Sequence, residues 1–289
     1  MLLIAAALVL TAAVVSFLPP VRSWLLSRLA PSHARLVPLS GLGRDGVPLG
    51  TVWLRPDGDG YPAGDGKALF WVRCRAGGGD NLEWLLLRLP DRRVLARAYG
   101  FSSIRWLAGG KAFAVTAAVN PLSRLPVLWR FVDHFTLGCW TLDWRNGGIR
   151  AVDLRDIPAS DRPVLHNWRC APGTANVGFG YSGIGVAVPP VPEAHQAGPY
   201  TLRSRFVPTY ATLIYLADLK GSDVKTLCRF GGTWGAASLC MTSADTAIAL
   251  VPNDPGARPY PCGVYRLTVS TGRLENIPLE STDAAAARP

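Results

Sequence analysis

Lysine is scarce in this chain. Lys67, Lys111, Lys220 and Lys225 stand against 26 arginines, and the acidic residues number 20 against 30 basic ones, for a formal net charge of +10. A nucleic-acid-binding domain gathers its cations on one face or along one stripe. Here the arginines are spread singly, with no run of five or more, so nucleic acid is not an expected partner. Cys74, Cys139, Cys170, Cys228, Cys240 and Cys262 contain no C-x-x-C pair, which argues against zinc-ribbon and thioredoxin-like chemistry. Their even number permits disulfides in an oxidising compartment; buried thiols are the plainer reading. His33, His134, His166 and His195 share no metal-ligand spacing, and neither metal nor cofactor is expected.

Catalytic signatures are equally thin. Gly178, Gly180 and Gly183 fit G-x-G-x-x-G, but Pro189 and Pro190 follow soon after. That motif needs a helix N-terminus to meet the pyrophosphate. Ser182 is one residue short of a nucleophile elbow, because Gly183 follows it directly. His166 beside Trp168 reads as structural. No carboxylate pair stands out for glycoside chemistry. An enzyme is therefore not the first expectation.

What is present begins with one long apolar run. Residues 2–18, LLIAAALVLTAAVVSFL, carry no charge and as a helix would extend about 26 Å, close to the hydrocarbon thickness of a bilayer. Pro19 and Pro20 end it. No basic residue precedes the run, as a cleaved signal peptide would require. Residues 1–19 are thus expected to be a single-pass transmembrane anchor. Residues 20–35 follow as a linker or an interfacial segment, in which Trp24, Leu25, Leu26 and Leu29 alternate with Arg22 and Arg28. Arg22, Arg28 and Arg35 after the run favour a cytoplasmic domain by the positive-inside rule; an exported domain is the alternative. Both topologies stay open.

From residue 51 onward short apolar runs alternate with turn residues, the pattern of an all-β repeat. A two-strand hairpin recurs at 84–99, 140–154, 214–230 and 264–279. Its turns include Asn146-Gly147, Lys220-Gly221 and Thr271-Gly272, which supply the positive-φ positions such turns need. A second hairpin precedes each copy, at 51–73, 104–117, 166–179 and 237–250.

This arrangement resembles the TolB-type, WD-like propeller repeat over residues 51–280. Trp106-Leu-Ala-Gly-Gly-Lys111 is similar to the family's strand-connecting turn, and Arg55-Pro-Asp-Gly58 comes next. The resemblance implies an all-β fold, a small β-propeller of about four four-stranded blades, over residues 36–280, with 281–289 a disordered tail. Residues 36–41 are expected to complete the last blade. Two chains joining half-rings, a homodimer, are the alternative closure.

Two segments, 120–134 and 184–209, read as long insertions on the propeller face shared by the interblade loops, and loops of such length are usually functional or disordered. They carry the candidate binding residues Arg124, Trp129, Arg130, Asp133 and His134, then His195, Arg203 and Arg205. Arginine beside aromatic rings suits an anionic or sugar ligand, or a protein. The plain alternative is that Leu125, Leu128, Trp129 and Phe131 cap the core; Trp129 and Phe131 could also touch lipid. The expected function is a membrane-anchored, non-enzymatic binding or scaffold module. The alternative is a hydrolase or lyase acting on a carbohydrate or other polar polymer at the propeller funnel.

Overall fold

Alternation of apolar and polar residues, broken every few residues by glycine or an Asx turn, leaves the backbone one economical way to satisfy its hydrogen bonds: antiparallel meanders. The computed structural model describes residues 34–41, 44–48, 53–75, 82–119, 135–162, 164–167, 184–187, 192–209, 211–231, 235–251 and 263–277. Blade one is β5 (Trp53–Gly64), β6 (Lys67–Arg75), β7 (Leu82–Leu89) and β8 (Arg93–Tyr99). It is preceded by β1 (Arg35–Pro38), β2 (Ser40–Gly41), β3 (Arg44–Asp45) and β4 (Val47–Pro48). Blade two is β9 (Ser103–Leu107), β10 (Lys111–Val119), β11 (Phe135–Asp143) and β12 (Gly148–Ala151). A two-stranded ladder follows, β13 (Val164–Asn167) with β14 (Ile184–Ala187), then the one-turn helix α1 (Pro192–His195). Blade three is β15 (Gln196–Ala197), β16 (Tyr200–Val207), β17 (Ala211–Ala217) and β18 (Asp223–Gly231). Blade four is β19 (Ser238–Met241), β20 (Thr246–Val251), β21 (Gly263–Thr268) and β22 (Arg273–Ile277). Within each blade the strands lie in chain order and pair antiparallel. The chain is therefore all-β with a four-blade, propeller-like arrangement.

The core lies between blades rather than within them, because strands such as β6, β7, β10, β19 and β20 are buried on both faces. One cluster joins Trp71, Trp84 and Leu86 of blade one to Ile104, Trp106 and Trp140 of blade two and to Cys240, Ile248 and Val264 of blade four. A second joins Leu202, Ile214 and Phe230 of blade three to Leu239, Ala249 and Leu267 of blade four. The turn into blade two is pinned by two side chains of blade one. Trp84 Nε1 donates to the carbonyl of Phe101 at 2.9 Å, and the buried Arg73 donates through Nη2 to Ser102 O at 2.7 Å.

The first and last blades meet within one chain. At Gly60 in β5, a Cβ would lie 2.6 Å from Cys240 Cβ of β19 and 2.6 Å from the Phe70 ring. Only a residue with no side chain lets these blades approach so closely. Closure at this seam uses no second copy of the chain.

The hairpin turns follow the expected chemistry. At Asn146-Gly147 the glycine takes φ 74°, and Asp143 accepts from Asn146 Nδ2 at 2.7 Å and from the backbone amides of Arg145 and Asn146. The Asn146 side-chain bond, followed by the two amides, holds the Asp143 carboxyl below its usual range.

Four expectations change. Residues 36–41 do not complete the last blade: β1 pairs with β8 of blade one, Leu36 opposite Ala98. Arg55–Gly58 is not a hairpin turn but lies inside β5, at an irregularity between Pro56 and Gly60; Asp65-Gly66 makes the turn. The hairpin expected at 166–179 is not part of blade three. His166 pairs instead with Gly185, residues 168–183 lie outside the described residues, and β15 and β16 supply the blade's first two strands. Residues 184–209 are accordingly not one long loop. The anchor at 1–19, residues 20–33 of the linker and the tail at 281–289 lie outside the described residues, among which no helix is long and apolar enough to cross a membrane.

Closure at Gly60 gives a measurable expectation. Gly60→Ala should lower stability by about 1–3 kcal/mol, the cost of overpacking, whereas Gly231→Ala, which meets no atom within 4 Å, should stay within about 0.5 kcal/mol of the parent chain. Urea unfolding followed by tryptophan fluorescence checks both. Equal stability of the two variants would show that blades one and four are not closely packed.

Candidate functional site

The two ends of the propeller differ in what connects the strands. At one end lie the tight hairpin turns 65–66, 90–92, 108–110, 144–147, 198–199, 218–222, 242–245 and 269–272, and the short link 49–52 leaves β4 there, where Pro48 stands opposite Arg93. At the other end lie the links between second and third strands and between blades. The long ones are 120–134, 252–262 and the passage 152–195 from blade two to blade three. Strands of fixed length need nothing longer than a tight turn, so long links mark the end where sequence has been given to something other than closing the sheet.

Arg124, Trp129, Arg130, Asp133 and His134 belong to 120–134, outside the described residues. The ends of that segment are nonetheless fixed, since Val119 of β10 stands opposite Phe135 of β11. The other three candidates are described, and they do not converge. His195 closes α1 and is buried, its Nδ1 3.2 Å from the carbonyl of Leu202. With Ala194, wholly buried in the core shared by blades one, two and four, it packs where β15 stops short, so α1 extends the inner edge of blade three. The ring is thus packed inside the fold rather than presented on a loop.

Arg203 and Arg205 are exposed strand residues of β16, not loop residues. Two-residue spacing puts both on one face of blade three together with Tyr215, which pairs with Arg203. Arg205 lies over the Tyr215 ring at 5.0 Å and donates to Asp223 Oδ2 at 2.7 Å. Arg205 is therefore partly neutralised, and an anion would have to compete with Asp223 for it. Tyr215 and Asp223 were not among the candidates. The alternation Arg203-x-Arg205 was the available signal, hidden because Pro199 and Pro208 bracket the segment and suggest a loop.

A second polar cluster lies at the outer rim of blade one. Glu83, nearly buried, pairs with Arg97 at 3.7 Å. Burial first, and then its hydrogen bond to Glu83, raises the Tyr99 phenol above its usual range. Arg35 of β1 sits 4.4 Å over the Tyr99 ring. No group of three or more metal-ligating side chains occurs among the described residues.

No family model matches the chain, and no curated protein matches it. Among solved structures, an AtxE2 isopeptidase variant with Astexin3-dC4 bound is similar at 11% identity and a TM-score of 0.31, over 88% of this chain and 54% of that one. A Synechocystis apocarotenoid oxygenase mutant is similar at 11% identity and a TM-score of 0.21, over 77% of this chain and 50% of that one. The chain thus spans about half the length of these structures. At such TM-scores the likeness carries no argument, and the fold rests on the strand pairing itself.

Cys228 on β18 offers a check of blade three. Burial pushes its thiol from 9.0 up to about 11, which cuts the thiolate fraction at pH 8 roughly a hundredfold, since the thiolate is the reactive form. Iodoacetamide at pH 8, read by mass spectrometry of the peptide Thr226–Arg229, should leave Cys228 unmodified in folded protein and modify it in urea. Equal rates in the two states would contradict its burial.

Proposed function

We propose that this protein is a non-enzymatic binding or scaffold module of TolB-like type, tethered to a membrane by residues 2–18, which meets a protein or an anionic or sugar ligand at its long-link end. The observation that carries the reading is the asymmetry of the connections: the long links 120–134, 252–262 and 152–195 all leave from one end of the strands, and the hairpin turns at the other end are tight. A scaffold stabilised by interblade packing can vary such links without cost to its core. Arg124, Trp129, Arg130, Asp133 and His134 in 120–134 would supply cationic, aromatic and hydrogen-bonding groups from that end. Arg203 and Arg205 would extend the surface down one face of blade three.

The binding end can be tested with a photo-crosslinking amino acid. Placed at Trp129 it should yield a crosslinked partner in native membranes; placed at Leu219, an 88% exposed turn residue at the opposite end, it should not. Replacing 120–134 by Asn-Gly, which can join Val119 to Phe135 in a tight hairpin, should abolish partner capture while leaving the thermal unfolding transition in place. Capture from Leu219 alone would overturn the proposal.

The tether has its own test. After alkaline carbonate extraction the full chain should remain in the membrane pellet, and a chain beginning at residue 34 should be found in the supernatant. A full chain released into the supernatant would remove the anchor from the reading.

A further inference from the structure

Blade three packs through one face and carries long polar side chains on the other. Leu202, Ile214, Leu216 and Phe230 join the core shared with blade four. The ladder puts them on one side of the sheet, with Leu202 opposite Leu216 and Ile214 two residues further along β17. The other side, turned away from blade four, bears Arg203 and Arg205 of β16, Leu213 and Tyr215 of β17 and Arg229 of β18. Arg203 stands opposite Tyr215, and Leu213 has Arg205 on one flank and Arg229 on the other. All three arginines are exposed. Their two rows are about 7 Å apart along the strands, so three cations share one area of a single sheet face.

Little within the protein neutralises them. Arg205 pairs with Asp223 at 2.7 Å. Arg229 donates to a neutral group, Thr209 Oγ1, at 3.0 Å. Among the described residues no carboxylate pairs with Arg203 or Arg229. Over α1 and blade three, residues 192–231, these three arginines with Lys220 and Lys225 stand against Glu193, Asp218 and Asp223. Asp218 is engaged by the amides of Lys220 and Ser222 in its own turn. Asp153, Asp156 and Asp161 belong to the passage that packs on blade two through Ile157. Residues 162–192 carry no acidic side chain, so the stretch that links the two blades offers the arginines no counter-ion.

We propose that this face of blade three docks an acidic segment of a partner protein, whose carboxylates pair with Arg203 and Arg229 and share Arg205 with Asp223. The proposal deepens the reading above and rests on the protein being a binding module. A guanidinium holds a carboxylate through two parallel hydrogen bonds, which suits it to this chemistry. The form of the face selects the class of partner. Small ligands bind in concave sites, whereas a sheet face without walls suits a macromolecule. Nucleic-acid bases are held by stacking on aromatic faces, and a sugar ring needs the same open platform. Tyr215 is 8% exposed, beneath Arg205 at 5.0 Å, and provides none. A run of carboxylates requires no platform.

The test measures binding of a fluorescein-labelled decaglutamate peptide to the full chain in detergent, by fluorescence anisotropy. The parent chain should bind the peptide, and more weakly as salt rises. Arg203→Gln and Arg229→Gln should each weaken binding about tenfold, the loss of one charge-assisted pair. Asp223→Asn, which releases Arg205, should tighten it severalfold. Arg150→Gln and Arg266→Gln, at exposed positions of blades two and four, should leave it unchanged. Equal losses from all four arginine variants would show a general response to net charge and overturn the proposal. Weaker binding by Asp223→Asn would overturn it as well. An oligothymidylate bound more tightly than the peptide, and lost in the same variants, would assign the face to nucleic acid and overturn the protein partner. If Arg203→Gln and Arg229→Gln bind the peptide as the parent does while the Trp129 crosslink still forms, this face is not the docking site and the binding-module reading stands. If the parent binds no peptide and no Trp129 crosslink forms, both are overturned.

Discussion

A ring of twisted sheets has to bring its last sheet back against its first, and in this protein that contact runs through a position with no side chain. Gly60 lets the inner strand of blade one lie against Cys240 of blade four, with the Phe70 ring closing over it. The core that surrounds this seam is shared by three blades, so the burial that stabilises any one blade depends on its neighbours. Alone, a sheet would expose the apolar residues on both faces of strands such as β6, β7, β10 and β20; stacked, it covers them. Because apolar area removed from water is the dominant favourable term in folding, interblade packing rather than strand pairing sets the stability of the whole.

With stability placed between blades, the ends of the strands are released for other uses, and the two ends have been used differently. Tight turns fill one end. The other holds the long links and the entry of β1. The polar clusters reflect the same division. Arg73 and Trp84 brace the passage from blade one to blade two, whereas Arg203, Arg205, Tyr215 and Asp223 form a charged face on blade three that contributes little to the core. Exposed pairs such as Arg205–Asp223 are worth less than about 1 kcal/mol.

Much of the fold was legible because hairpins announce themselves twice, in alternation and in turn chemistry. The pairs 84–99, 140–154, 214–230 and 264–279 correspond to β7–β8, β11–β12, β17–β18 and β21–β22. Where the two signals disagreed, the reading failed. β16 carries arginines on its exposed face and prolines at its borders, so a strand resembled a loop. Arg55–Gly58 has turn chemistry inside a long strand, where a bulge absorbs it. The partner of β1 was hidden for another reason: a short edge strand fits the edge of either terminal blade, and only the register with β8 decides. Of the candidate site, strand order alone determines that 120–134 joins β10 to β11 at the long-link end, while the burial of His195 was not legible, since nothing in a lone histidine's sequence context distinguishes a packed ring from an exposed one.

The attachment of β1 also has a mechanical meaning. Its strand axis points toward the end where the chain departs, so a pull on the N-terminal segment is directed along the β1–β8 ladder. Force applied in that direction loads the ladder's hydrogen bonds together, in shear, instead of opening them one after another as a pull across the strands would. The Arg35–Tyr99 stack sits at the loaded end, and behind it Glu83 and Arg97 anchor the ring. A pull applied there meets the whole ladder before β1 can leave the sheet.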